Sequence, residues 1–108
     1  MLLADVLRAG LLKSPSMRRW LANGAIPKVP FSVAYRHDLS EHDVAVCRVY
    51  ELVMDLCRNS DLAASLAHQA SQHIRAGIFN PVKFWTDEIT VIIDLPEVLA
   101  GVHKGFSD

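Results

Sequence analysis

One stretch decides the predicted fold: Ser16-Met17-Arg18-Arg19-Trp20-Leu21-Ala22-Asn23-Gly24-Ala25-Ile26-Pro27. It combines two adjacent arginines, an aromatic residue and a glycine that can end a helix in the left-handed conformation. Just upstream, Ser14-Pro15 predicts the helix start, because serine caps free N–H groups and proline suits the first helical position. We therefore expect a short basic helix from Ser14 to about Asn23, with Trp20 packed in the core as its anchor.

A first helix is predicted over about residues 2–11, where leucine and valine recur three and four positions apart and Gly10 lies near the end. Two short helices joined by a few residues form a helix-turn-helix. After Pro27 and Pro30, the alternating residues 31–35 favour a short hairpin or an extended wing over a helix. This order of elements is typical of a small DNA-contacting domain.

A long helix is predicted to follow, capped by Ser40 with Asp43 as its capping acid and ending near residues 58–60. Asp61 is expected to cap a fourth helix that stops at Gly77. We expect a last short helix to open at Asp94 and residues 104–108 to form a frayed tail.

The segment Glu88–Ile93 is the strongest strand candidate, because its residues are almost all β-branched. A strand that is apolar on both faces needs cover on both sides. Residues 79–85 or the wing could pair with it, or a second copy of the chain could supply the missing strand. We expect self-association through four residues of this strand: Ile89, Val91, Ile92 and Ile93.

The net charge of −1 hides a strong asymmetry. Residues 1–36 hold six basic groups against one acid, whereas residues 37–108 hold five basic and eleven acidic groups. A basic end attached to an acidic body is typical of a polyanion-binding surface, although a solvated basic face without a ligand would have the same composition.

The stretch Ser16–Trp20 with Gly24-Ala25-Ile26-Pro27 resembles the recognition helix and exit of the MerR-type winged helix-turn-helix family, which includes phage excisionase-like domains. Tyr35-Arg36 followed by Ser40–Asp43 resembles the end of that family's wing and its next capped helix. The resemblance covers about residues 1–58. Ala34 stands where the family has a wing glycine, and the long coiled coil and effector-binding cysteines of the family are absent, which argues against metal or drug sensing.

The resemblance and the charge together indicate which residues would contact DNA. Arg18 and Arg19 lie about 100° apart on the helix, so one would contact a guanine edge and the other a phosphate. Free N–H groups at residues 14–16 would suit a phosphate. The full set of predicted DNA contacts is Lys13, Ser14, Ser16, Arg18, Arg19, Lys28, Tyr35 and Arg36.

Other chemistry is not indicated. The histidine pairs are spaced i, i+5 rather than the i, i+4 of a helical metal pair, and no phosphate-binding glycine loop is present, so we expect no enzyme, metal or cofactor. Cys47 and Cys57 lie ten residues apart in one predicted helix, about 15 Å, too far for a disulfide; we expect buried thiols in a cytoplasmic protein. No apolar run is long enough for a membrane span, and the start lacks the basic segment and cleavage site of a signal peptide.

The sequence thus predicts a mainly α fold with a small β component: a winged helix-turn-helix head over residues 1–58, then a C-terminal helix–strand segment over 59–108. The favoured function is a bacterial or phage transcriptional regulator that binds double-stranded DNA as a homodimer, with RNA polymerase or another regulator as a further candidate partner. The alternatives are a non-catalytic protein-interaction module, antitoxin-like or a phage inhibitor, and an excisionase-type architectural protein.

Overall fold

The computed structural model describes residues 1–29 and 38–107. It is mainly helical with one small antiparallel sheet, as the sequence predicts. The elements in chain order are α1 (Leu3–Arg8), α2 (Met17–Ala22), α3 (Glu41–Cys57), α4 (Ser60–Ala76), β1 (Val82–Trp85), β2 (Thr90–Ile93) and α5 (Leu95–Ser107). The predicted wing, with Tyr35 and Arg36, lies outside the described residues.

The central element is α3, which packs against both α4 and α5. Its middle part, from Val44 to Val53, is largely buried because valine, alanine and cysteine occupy several sides of the helix there. One continuous core joins α1, α2, α3, α4, the sheet and α5, so the predicted segments 1–58 and 59–108 share their apolar interior.

Two predicted helix ends, at Gly24 and Gly77, are confirmed, whereas α1 ends at Arg8, before Gly10, rather than near residue 11. Gly10, Gly24 and Gly77 all have positive φ angles, which glycine adopts without steric cost. After α2, the N–H of Gly24 donates to the carbonyl of Leu21 and the N–H of Ala25 donates to that of Trp20, at 3.2 and 2.9 Å. This Schellman arrangement pairs the last carbonyls of the helix and fixes where the chain turns away.

The predicted cap of α3 is also confirmed. The N–H of Asp43 donates to the Ser40 hydroxyl and the N–H of Ser40 donates to the Asp43 carboxylate, both at 3.1 Å, which completes a capping box.

The cap of α4 was predicted wrongly. Asn59 accepts the N–H of Leu62 at 3.0 Å, and Asp61 lies in the first turn instead. Both residue types cap well, so composition alone did not separate them.

Two further helix bounds differ from the prediction. Helix α2 begins at Met17 rather than at Ser14-Pro15. Helix α5 continues to Ser107 instead of fraying at Lys104. The extension of α5 has a tertiary cause. Gly105 lies so close to Leu11 that a Cβ on residue 105 would overlap the leucine side chain, so the end of α5 is packed.

The sheet pairs β2 with β1. Of the three partners that the sequence allows for β2, the structure has the one within residues 79–85. The strands are antiparallel, with Val82 opposite Ile93 and Trp85 opposite Thr90. A hydrogen bond of 2.7 Å from the N–H of Thr86 to the carbonyl of Ile89 closes the connecting turn. We call residues 82–93 the hairpin.

Candidate nucleic-acid interface

The first candidate surface belongs to α1, the connection after it and α2, which we call the helix pair (residues 3–25). Helix α2 buries Met17 and Leu21, one turn apart, and leaves Arg18 and Arg19 exposed. Trp20 is half-buried and contacts Tyr50 of α3 edge to face, with ring centroids 5.2 Å apart. Trp20 is thus the packing anchor that the sequence predicts, and its contact fixes the direction of the exposed arginines.

A buried carboxylate holds the connection between the two helices. Glu51 of α3 is 0 % exposed. It accepts the backbone N–H groups of Lys13 and Ser14 at 2.8 and 2.6 Å, and it is also paired with the guanidinium of Arg48. A buried charge is stable only when it is paired and hydrogen-bonded, and these three donors meet that requirement.

The Glu51 contacts overturn one prediction about the site. The N–H of Ser14 is bonded to Glu51, and the N–H of Ser16 donates to the Ser14 hydroxyl at 3.2 Å. Neither group is free for a phosphate. The same contacts explain why α2 starts late. The N–H groups of Lys13, Ser14 and Ser16 are paired with side chains, and residue 15 is a proline without an N–H. The N–H of Met17 donates to the Ser14 carbonyl in a turn that precedes the helix.

The predicted contact residues fall into separate groups. Ser14, Ser16 and Arg19 form one chain, since a guanidinium nitrogen of Arg19 lies 3.4 Å from the Ser16 hydroxyl. Lys13 lines a pocket of about 310 Å³ with Arg48 and α5, whereas Lys28 lines a different, more polar pocket of about 190 Å³. The structure thus brings the α2 residues together and leaves Lys28 apart from them.

The pocket at Lys28 adds one cation, Arg75, that the sequence analysis did not single out. His42 and Arg75 line it together with Lys28, beside the capped start of α3. These residues come from three separate parts of the chain, and no spacing pattern in the sequence joins them. Arg8, in contrast, contributes little free charge, because it is paired with Asp5 at 3.2 Å on the surface of α1.

The four residues predicted to mediate self-association divide by face. Val91 is 5 % exposed and Ile93 is also buried, both within the chain's own core. The prediction is therefore corrected for these two residues, because alternate residues of a strand point to opposite faces and the inner face of β2 is already covered. Ile89 and Ile92 remain exposed and available to a second chain.

The two cysteines are free and lie in one helix, as expected, but only Cys47 is buried. Cys57 is exposed because it is the last residue of α3, next to Arg58 in the left-handed conformation. Burial raises the pKa of the Cys47 thiol far above its usual value, with smaller contributions from the charges of Asp43 and Glu51. The Cys47 thiol is therefore held protonated and unreactive.

Within residues 1–29 and 38–107, no three histidine, cysteine or acidic side chains come together as a metal site would require. Each helix in that part of the chain is too short or too polar for a membrane span.

No protein-family model, curated protein or solved structure matches the chain. The resemblance to MerR-type proteins therefore stays a prediction from the sequence motif.

Proposed function

We propose that the protein is a sequence-specific regulator of bacterial or phage origin that binds double-stranded DNA through α2. The observation that supports this most directly is the arrangement of α2, which buries its apolar residues and leaves Arg18 and Arg19 in solvent. Neither arginine has an acidic partner among the described residues. Two exposed guanidinium groups on one short, rigidly packed helix suit contacts to phosphates and to base edges.

The contacts around α2 support different roles for the two arginines in this proposal. Arg19 is held near the Ser16 hydroxyl, which orients its guanidinium and leaves other N–H groups for a phosphate. Arg18 has no such contact among the described residues and would enter the major groove to contact a guanine. Lys13 and Lys28 would add phosphate contacts and salt dependence, and Tyr35 and Arg36 stay predicted contacts.

The side chain of Glu51 gives this surface its rigidity. It fixes the backbone at Lys13 and Ser14, just before α2, and thereby the entry angle of the helix. A contact surface that is ordered before binding loses less conformational entropy when DNA binds. In this proposal the protein acts in the cytoplasm as a homodimer on two half-sites, with RNA polymerase or another regulator as a further candidate partner.

The second candidate function is the non-catalytic interaction module. The exposed apolar side chains of the hairpin favour it, because such a patch marks a protein contact rather than a nucleic-acid contact. The two functions differ in what they need from α2: an interaction module has no need of Arg18 and Arg19.

The test is DNA affinity after reversal of both charges, Arg18→Glu with Arg19→Glu. We expect at least a ~100-fold loss, since a base contact and a phosphate contact disappear together. The matched control is Arg58→Glu with Lys104→Glu, which changes the net charge equally at exposed positions of the C-terminal half. Equal losses in the two variants would contradict the assignment of α2 as the DNA-contacting helix.

A further inference from the structure

The hairpin carries an unusual concentration of exposed apolar side chains. Among the described residues, seven large hydrophobic side chains are exposed; four of them lie in the hairpin and two more, at residues 78 and 79, lie just before it. The largest, Trp85, is 69 % exposed, and Ile92 is 56 % exposed. Such a cluster costs free energy in water and marks a contact surface.

The strand register assigns these residues to faces. Val82 and Ile93 are opposite each other and buried, so they define the inner face. Lys83 is opposite Ile92 and Trp85 is opposite Thr90, and all four are exposed. We call these four residues the outer face. An isolated two-stranded hairpin is marginal in water, and both its strands are sheet edges with unpaired backbone groups.

The hairpin also has a charge gradient along its length. Lys83 lies at the end away from the turn, whereas Asp87 and Glu88 form the turn itself. Trp85 lies midway, two residues from both Lys83 and Asp87. If two such strands lie antiparallel about a two-fold axis at Trp85, each Lys83 comes opposite the partner's Asp87. The surface is therefore complementary to itself, which is the requirement for a two-fold dimer.

We propose that the hairpin is the dimer interface of this protein, with a second copy placed antiparallel on it about a two-fold axis at Trp85. Trp85 packs against the partner's Trp85, Ile92 is covered, and Lys83 pairs with the acidic turn of the other copy in two symmetric contacts. This inference specifies the homodimer of the proposed function and rests on that part of it, but it does not depend on DNA binding, since no residue of the helix pair takes part in it.

The experiment uses two complementary charge reversals measured by sedimentation equilibrium. Lys83→Glu places acids opposite acids in both symmetric contacts, and Asp87→Lys with Glu88→Lys places bases opposite bases. We expect each variant alone to dimerise at least ~10-fold more weakly than the original chain. An equimolar mixture of the two variants restores both attractive contacts, and a heterodimer forms with near-original affinity.

The altered residues are all exposed, so the variants should keep the original helical content by circular dichroism. Lys104→Glu, a reversal on α5, is the matched control and should leave the dimer unchanged. An original chain that stays monomeric at micromolar concentration would overturn the proposal. Variants that dimerise normally, or a mixture that forms no heterodimer, would overturn it as well, the latter by excluding the two-fold pairing.

Discussion

The helix pair and the hairpin place opposite chemistry on the surface of one small domain. In the helix pair, backbone N–H groups are paired with Glu51 inside, and four of the five charged side chains left outside are cationic, Asp5 being the fifth. In the hairpin, Val82, Val91 and Ile93 fill the interior, and apolar side chains are left outside as well. Cationic groups on a rigid support suit a polyanion, whereas an apolar outer face suits protein.

The two regions also differ in the interactions that fix their structure. The helix pair depends on a long-range polar contact from α3, which joins residues 38 positions apart in the chain. The hairpin depends on apolar packing of its inner face and on its own turn, in which the Thr86 hydroxyl accepts two backbone N–H groups. A single substitution can therefore disturb one region while the other is preserved.

The largest effect is expected from Glu51→Ala, which leaves Arg48 and two backbone N–H groups without their acceptor. The free energy of unfolding should fall by about 3–5 kcal/mol, as for other broken buried ion pairs. Urea unfolding followed by circular dichroism measures it. Asp5→Ala, which breaks the exposed pair with Arg8, is the control and should change stability by less than about 0.5 kcal/mol. A loss below about 1 kcal/mol for Glu51→Ala would show that the connection is held by other contacts.

A smaller effect separates the two faces of the hairpin. Val91→Lys buries an unpaired charge and should lower the free energy of unfolding by about 3 kcal/mol. Ile92→Lys, one residue further along, should change the free energy of unfolding by less than about 0.5 kcal/mol, because the Ile92 side chain faces solvent in the monomer. Both are measured by urea unfolding at a protein concentration below dimer formation. Equal destabilisation by the two variants would mean that the strand register is wrong.

The smallest effect concerns α3, which supports both regions, and appears only at high pH. Burial raises the pKa of Cys47, and burial followed by the charge of Asp61 raises that of Tyr50. The native state therefore keeps these protons while the unfolded chain releases them. The contribution to stability is full at neutral pH and decreases as pH rises past the ordinary thiol pKa of 9.0.

For Cys47 this loss should reach roughly 0.5 kcal/mol at pH 9 and grow above it. The measurement is urea unfolding across an alkaline pH series for the original chain and for Cys47→Ala. The variant should lose less stability per pH unit, since only the Tyr50 contribution of the pair remains. Identical pH dependence of the two proteins would argue that the thiol is not buried in solution.

Local features were predictable from the sequence. The capping box of Ser40 and Asp43 and the glycine ends at Gly24 and Gly77 depend on residues a few positions apart, so the pattern contains all the information needed. The packing of Trp20 was predictable for the same reason: its neighbours on the helix define a buried face.

Long-range features were not predictable. Nothing near Glu51 in the sequence marks it as the acceptor for Lys13 and Ser14, and the late start of α2 follows from that contact. The face of β2 that is covered depends on pairing with β1 and on the register, so Val91 and Ile92 looked equivalent in the sequence. The packed end of α5 depends on the close approach of Gly105 to Leu11.

The central claim is that the helix pair binds DNA in a sequence-specific way. Its most direct test is binding of the purified protein to mixed genomic DNA fragments across a salt series, with the bound fragments sequenced. The proposal predicts binding that weakens steeply with salt and enriches one short sequence arranged as two half-sites. Salt-dependent binding without enrichment would indicate an architectural role instead of a sequence-specific regulator. Absence of binding near physiological salt would contradict the central claim, and the interaction module would then be the better account.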